Sequence, residues 1–304
     1  MQLMRILGRS LVDCFCHYVV PLTADGGDYA APQGEAEADT RRRFHQARVA
    51  AAKLELLRAR DELESLTQSA PTFAGARLLL AAVRSDLGKP AEARGLLDVL
   101  LTERADDGRL WFLAGQLAER CGEVARAVEC YRAARERRGR SACEAAERLA
   151  AVSLASGDYA AAKEQLLWLV EARPEEFGVR VELAGVLSLL GEHEAAIRAY
   201  EDAILLEPDN WDARQDMAAT LEAQGRYNEA LAELRLILDE HPYLADLNLR
   251  AAKLCSRLGD RDAAMKYVDA ALEANPRYLE AICLKGLLLV EQGDELTGRV
   301  AQHL

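Results

Sequence analysis

Seven glycines, Gly88, Gly122, Gly157, Gly191, Gly225, Gly259 and Gly293, follow one another at intervals of 34, 35, 34, 34, 34 and 34 residues. A period of this length, held over most of a chain, restricts the fold to one supersecondary unit stacked on copies of itself, since no single copy can bury its apolar face alone. Seven residues before each glycine stands Ala81, Gly115, Ala150, Ala184, Ala218, Ala252 or Gly286. Five residues after it stands Ala93, Ala127, Ala162, Ala196, Ala230, Ala264 or Gly298. Only Ala and Gly occupy either place. Two small residues flanking a glycine turn are what two antiparallel helices need to come into close contact.

Each unit is therefore read as a pair of helices. Four units carry a proline seventeen residues after the glycine, at Pro174, Pro208, Pro242 and Pro276, where it ends the second helix and turns the chain into the next unit.

The pattern resembles the tetratricopeptide repeat (TPR), whose signature places a large residue, Leu, Gly or Ala and Tyr in the first helix, followed by Ala, an aromatic or Leu, and Pro. Trp111, Gly115, Gly122, Ala127, Tyr131 and Ala134 fall on these positions, as do Leu183, Ala184, Leu187, Gly191, Ala196, Tyr200, Ala203 and Pro208. The resemblance implies an all-α fold, a right-handed solenoid of antiparallel helix pairs. The repeats begin near residues 74, 108, 143, 177, 211, 245 and 279, so the array covers residues 74–304. A solenoid grows by stacking, so 304 residues need not divide into two globular cores.

Residues 40–73 read as a degenerate eighth repeat or one longer capping helix. Ala47 and Ala59 hold the small-residue places, but Leu54 stands where the turn glycine belongs. Residues 23–39, rich in Gly, Pro, Asp and Ala without apolar periodicity, read as a flexible linker. Residues 1–22 are apolar but broken by Arg5, Arg9, Asp13 and His17, too charged for a membrane span and ill-formed as a secretion signal. This segment is expected to dock on the chain's own solenoid or on a partner.

The formal net charge is −12, which argues against nucleic acid and anionic membranes as partners. The charge is uneven. Residues 143–244 hold 21 acidic and eight basic side chains, whereas residues 74–142 hold 13 basic and 10 acidic, including Arg132, Arg135, Arg137, Arg138 and Arg140 beside the single 35-residue interval. An acidic middle suits either a solvated outer face or a protein partner with basic flanks.

Seven cysteines at irregular spacing give no disulfide framework and point to a reducing, cytoplasmic location. Cys14, Cys16 and His17 lack a second ligand pair for structural zinc, so no metal and no cofactor is expected. The chain has no phosphate-binding loop, nucleophile elbow or HExxH motif, and its numerous carboxylates sit at helical surface spacing, so no enzymatic activity is expected.

In the family this chain resembles, the second, fifth, ninth, twelfth and thirteenth residues of each repeat line a concave groove. By that resemblance, the candidate binding residues are Arg109, Phe112, Gln116, Glu119 and Arg120, then Glu144, Glu147, Ala151 and Leu154. Further along they are Val181, Gly185, Ser188 and Leu189, then Asp212, Gln215, Ala219 and Glu222. The ninth positions contain no Asn, which argues against the carboxylate clamp of chaperone-binding members. The expected function is a non-enzymatic scaffold or adaptor that holds a peptide or helical segment. The alternative is a component or chaperone of a secretion, pilus or envelope-assembly system, tethered through the N-terminal segment. At the C-terminus only residues 294–304 remain for the last second helix, a weak cap with Gly298 in its middle. Leu284, Leu287, Leu288 and Val290 are then left as a contact surface for a homodimer or another protein, unless the short tail folds back over them.

Overall fold

The computed structural model describes residues 15–23, 29, 38–137 and 139–302; the side chains of 17, 18, 140 and 291–302 are outside that description. The described residues are helical, with no strand among them. They fall into two compact units, residues 1–172 and 173–304.

The first unit holds nine helices: α1 (Phe15–Leu22), α2 (Ala38–Ala52), α3 (Leu56–Ser69), α4 (Ala74–Asp86), α5 (Pro90–Glu103), α6 (Gly108–Arg120), α7 (Val124–Glu136), α8 (Arg140–Ala155) and α9 (Tyr159–Ala172). The second holds α10 (Phe177–Leu189), α11 (His193–Leu206), α12 (Trp211–Ala223), α13 (Tyr227–Glu240), α14 (Ala245–Arg257), α15 (Arg261–Ala274) and α16 (Leu279–Gln302). From α2 onward the helices pair as neighbours, α2 with α3, α4 with α5 and so on to α14 with α15.

The turn inside each pair is set by one residue. Gly88, Gly122, Gly157, Gly191, Gly225 and Gly259 all have φ between +74° and +78°, a left-handed conformation that costs glycine little and other residues much. The hydrogen bonds around them repeat. The Gly191 N–H donates to the Ser188 carbonyl at 3.0 Å and the Glu192 N–H to the Leu187 carbonyl at 2.9 Å, and the same pair of bonds recurs at the other five turns. This is a Schellman ending, which satisfies the last carbonyls of the first helix while reversing the chain. Between pairs the chain turns at the prolines: the Asn210 N–H donates to the Glu207 carbonyl across Pro208 and Asp209 at 3.1 Å, a β-turn for which proline's fixed φ is preset.

The small residues lie where the two helices of a pair meet. Ala81, Ala93, Ala127, Ala162, Ala184, Ala196, Ala218, Ala230, Ala252 and Ala264 are fully buried. At Gly115 even a methyl is too much, because a Cβ there would lie 2.5 Å from the Tyr131 ring.

Three places depart from the regular unit. Residues 38–69 fold as the pair α2 and α3, and Leu54 adopts φ +60° at their turn. Its N–H and that of Glu55 make the same Schellman bonds, to the Ala51 and Ala50 carbonyls at 3.0 and 2.9 Å. The single 35-residue interval is absorbed by α8, which has 16 residues where α4, α6, α10, α12 and α14 have 13.

The third departure overturns an expectation. Residues 294–302 do not form a separate second helix; α16 runs unbroken for 24 residues through Gly293. Continuation keeps the i to i−4 backbone hydrogen bonds of the helix through Gly293.

Two substitutions test this account. Leu54→Gly relieves a left-handed leucine that is half exposed and should raise stability by about 1 kcal/mol, read as a shift in the denaturant midpoint. Ala184→Leu overpacks the contact between α10 and α11 and should lower stability by about 1 to 3 kcal/mol.

Candidate functional site

Several first helices of successive pairs are neighbours within each unit: α2 with α4 and α6 with α8 in the first, α10 with α12 and α14 with α16 in the second. The positions singled out in the sequence lie on these helices, but their environments differ.

In the first unit most of the charged ones are already engaged. Glu119 accepts from Arg148 of α8 at 2.6 and 2.7 Å and from the Tyr131 hydroxyl at 2.6 Å. Burial, reinforced by Glu119, pushes the Tyr131 phenol up. Arg120 donates to Asp86 at 2.8 Å and to the Ser85 hydroxyl at 3.0 Å, and Arg109 donates to Asp107 at 3.1 Å. Phe112, Ala151 and Leu154 are buried in the packing of the pairs, and Gln116 is half-buried; Glu144 and Glu147 are half-buried on α8.

This face carries an occupant. Helix α1 packs against α4 and α2, burying Phe15, Cys16, Val19 and Thr23. The spacing i, i+1, i+4, i+8 is one face of a helix. Phe15, Cys16 and Val19 share a core cluster with Phe44, Ala47 and Ala51 of α2 and Leu78 and Ala82 of α4. Both ends of α1 are gripped. The first two N–H groups, of Phe15 and Cys16, donate to the two oxygens of Asp86, each at 2.8 Å. Arg48 of α2 donates to the Thr23 carbonyl at the other end, at 3.0 Å. A carboxylate at the start of a helix and a guanidinium at its end both suit the helix dipole. The Arg120 guanidinium, while holding Asp86, lies 5.4 Å from the centre of the Phe15 ring.

Tyr29 extends this contact. Its hydroxyl donates to Asp107 at 2.6 Å, its ring lies under Arg104 at 4.9 Å, and a Cβ on Gly75 would fall 2.2 Å from its carbonyl oxygen. Asp107 also caps α6 by accepting from the Arg109 N–H at 3.0 Å. Burial pushes the Asp107 carboxyl up, but the donors on Arg109 and Tyr29 outweigh it and hold it below the ordinary carboxylate range.

In the second unit, Val181 is buried, Gly185 and Ser188 are half-buried and Leu189 is exposed. The Ser188 and Thr220 hydroxyls are 3.2 Å apart. On α12, Asp212, Gln215 and Glu222 are half-buried and Ala219 is exposed; Glu222 accepts from Arg250 of α14 at 2.6 Å. Asp216, one turn along from Asp212, was missed in the sequence because it holds the sixth place of its repeat. Arg148 and Arg250 hold that place in theirs. Burial and, after it, the nearby Asp212 carboxylate hold the Asp216 carboxyl above its ordinary range against a smaller opposing pull from cationic groups of the chain, Arg250 among them.

At the last helix the four C-terminal candidates separate. Leu288 is 2% exposed and turned inward with Ala281, so it belongs to the packed face; Leu284 is half-buried against the same cluster. Leu287 and Val290 are exposed, together with Leu279, Ile282 and Leu289.

Among the described residues no group of His, Cys, Asp and Glu is arranged to hold a metal ion, and no helix is long and apolar enough to cross a membrane. Cys14 and the remainder of residues 1–14 lie outside the described residues, as does the His17 side chain, and Cys16 is fully buried against the core. Of the proposed linker, only Thr23, Tyr29 and the first residues of α2 are described.

Two family models described as tetratricopeptide repeat match this chain, one over residues 78–142 and 147–205, the other over 187–242 and 221–285. The chain belongs to the tetratricopeptide repeat family. A curated relative, the TPR repeat-containing protein YpiA of Bacillus subtilis (strain 168), is 24% identical over 236 residues, which is 72% of this chain and 52% of the relative. The chain thus spans about half the length of that curated relative. Among solved TPR structures, the C-terminal part of a TPR repeat-containing protein from Cytophaga hutchinsonii is 15% identical with a TM-score of 0.67, covering 79% of this chain and 98% of that one. YrrB, described as a TPR protein with an unusual peptide-binding site, is 23% identical with a TM-score of 0.51, covering 62% of this chain and 97% of that one. Both show the fold.

The contact between Tyr29 and Asp107 is predicted to depend on pH. Because the folded Asp107 has a lowered pKa, its contribution is complete above the ordinary value of about 3.9 and is lost as pH falls through the lowered value. The near-UV circular dichroism difference between the parent chain and Tyr29→Phe should be present at neutral pH and fade only in acid, below that ordinary value.

Proposed function

We propose that this TPR protein is a non-enzymatic scaffold that binds a protein segment carrying basic residues along the face of its first helices in the second unit. The observation that carries the reading is Asp216. Its carboxylate is partly withdrawn from water beside Asp212, and the chain's own cations do not fully offset this, so its charge would be favoured by a further cation from outside. Lysine or arginine supplies that cation. Exposed Ala219 and half-buried Gly185 and Gln215 hold the neighbouring groove positions, a largely small-residue face suited to an extended or helical backbone. YrrB, whose description names a peptide-binding site, supports the same class of partner. Charged pairs of this kind contribute more to encounter rate and selectivity than to affinity.

The sign of the Asp216 shift gives a test with two readouts. A carboxyl whose folded pKa is raised contributes most to stability below its ordinary pKa and loses that contribution as pH rises through the folded value. At neutral pH, Asp216→Asn should therefore raise the melting temperature slightly. In affinity capture from a native lysate followed by mass spectrometry, the same variant should lose the proteins retained by the parent chain. A variant that melts higher and captures the same proteins would remove Asp216 from the binding surface.

A further inference from the structure

The five positions that line the groove in this family are, in the repeat beginning at residue 74, Gly75, Leu78, Ala82, Ser85 and Asp86. Every one is taken by the chain itself. Leu78 and Ala82 are fully buried in the cluster that contains Phe15, Cys16 and Val19. Asp86 accepts the first two N–H groups of α1. Ser85 is buried and bonded to Arg120, and Gly75 lies against the Tyr29 carbonyl. In the repeat beginning at residue 211, by contrast, the ninth and thirteenth positions, Ala219 and Ala223, are exposed.

The contacts to α1 have the character of ligand recognition. Asp86 and Arg48 bind backbone groups at the two ends of a helix, which any helix of the same length presents. Side-chain selectivity rests on an aromatic residue at the first helical position, which meets Arg120, and on small or β-branched residues one and four places later. An eight-residue helix is marginal on its own, so α1 owes its conformation to the surface that holds it.

We infer that the groove over α2, α4 and α6 is a helix-binding site held closed by the chain's own residues 15–23 and Tyr29, and that its partner is a short amphipathic helix of the same pattern, which displaces them. This rests on reading the first-helix face as a binding surface, and adds a site in the first unit, a partner chemistry and an intramolecular competitor. Competition from within one chain acts as a high effective concentration, so an outside ligand binds weakly until the internal one is released.

The probe is a fluorescent synthetic peptide with the sequence of residues 13–31, titrated by anisotropy into the full chain. The parent chain should bind it at least 10-fold more weakly than Val19→Asp, which places a charge at a fully buried point of α1 and releases it. Adding Asp86→Asn to Val19→Asp should reduce peptide binding again by at least 10-fold. Arg48→Gln, which weakens the grip on α1 without burying a charge, should give intermediate binding, so the test survives if Val19→Asp disturbs the fold. Equal binding to the parent chain and to both releasing variants would overturn the internal competition, as would binding to none of them. A parent chain that sediments as a dimer and becomes monomeric with Val19→Asp would place α1 on a second copy and would also overturn it. None of these outcomes touches Asp216, whose capture test stands or falls separately.

Discussion

The structure depends on one repeated constraint, a chain reversal that brings two helices together at residues with almost no side chain. The left-handed turn residue ends the first helix with its carbonyls satisfied, and the buried alanines on either side let the second helix lie directly against the first. Neither is sufficient alone. A turn without the small residues would splay the helices, and small residues without the turn would leave one long helix. In residues 279–302 the chain makes no reversal at Gly293, and α16 continues as one helix.

The same constraint explains why Leu54 is tolerated. Its pair keeps Ala47 and Ala59 fully buried and makes both Schellman hydrogen bonds, so packing and hydrogen bonding outweigh a strain of about 1 to 2 kcal/mol at one residue. It also explains the length of α8. The inserted residue cannot enter the turn or the contact, so it is taken up by an extra turn of helix before the contact begins.

The helix pairs, their turns and the buried small residues were legible in the sequence because each is local and recurs. The surroundings of the candidate groove residues were not legible. Position within the repeat placed Glu119, Arg120 and Glu222 on first helices, but a 34-residue period carries no information about Arg148, Asp86 and Arg250, the partners that neutralise them. Asp86 had a signal, since it stands 34 residues before Arg120. Asp216 had none among the five groove positions. The hold on α1 was beyond sequence periodicity, because Phe15, Cys16 and Val19 lie outside every repeat and are bound through backbone groups that no residue code records. Leu288 was misjudged for a simpler reason: a run of leucines does not say which of them faces inward until the neighbouring helix is placed.

Among the described residues, the first-helix face of the first unit is filled by α1, whereas in the second unit Ala219 and Ala223 are exposed on the helix that carries Asp212 and Asp216. The central claim is that α1 is seated on the first as a ligand and is not part of the cooperative core. Residue-resolved native-state hydrogen exchange tests it without altering the chain. The account predicts that amides of residues 15–23 exchange through a separate opening at low denaturant, while those of α4 and α6 stay protected up to global unfolding. Exchange of α1 only together with α4 and α6, in a single global step, would contradict it.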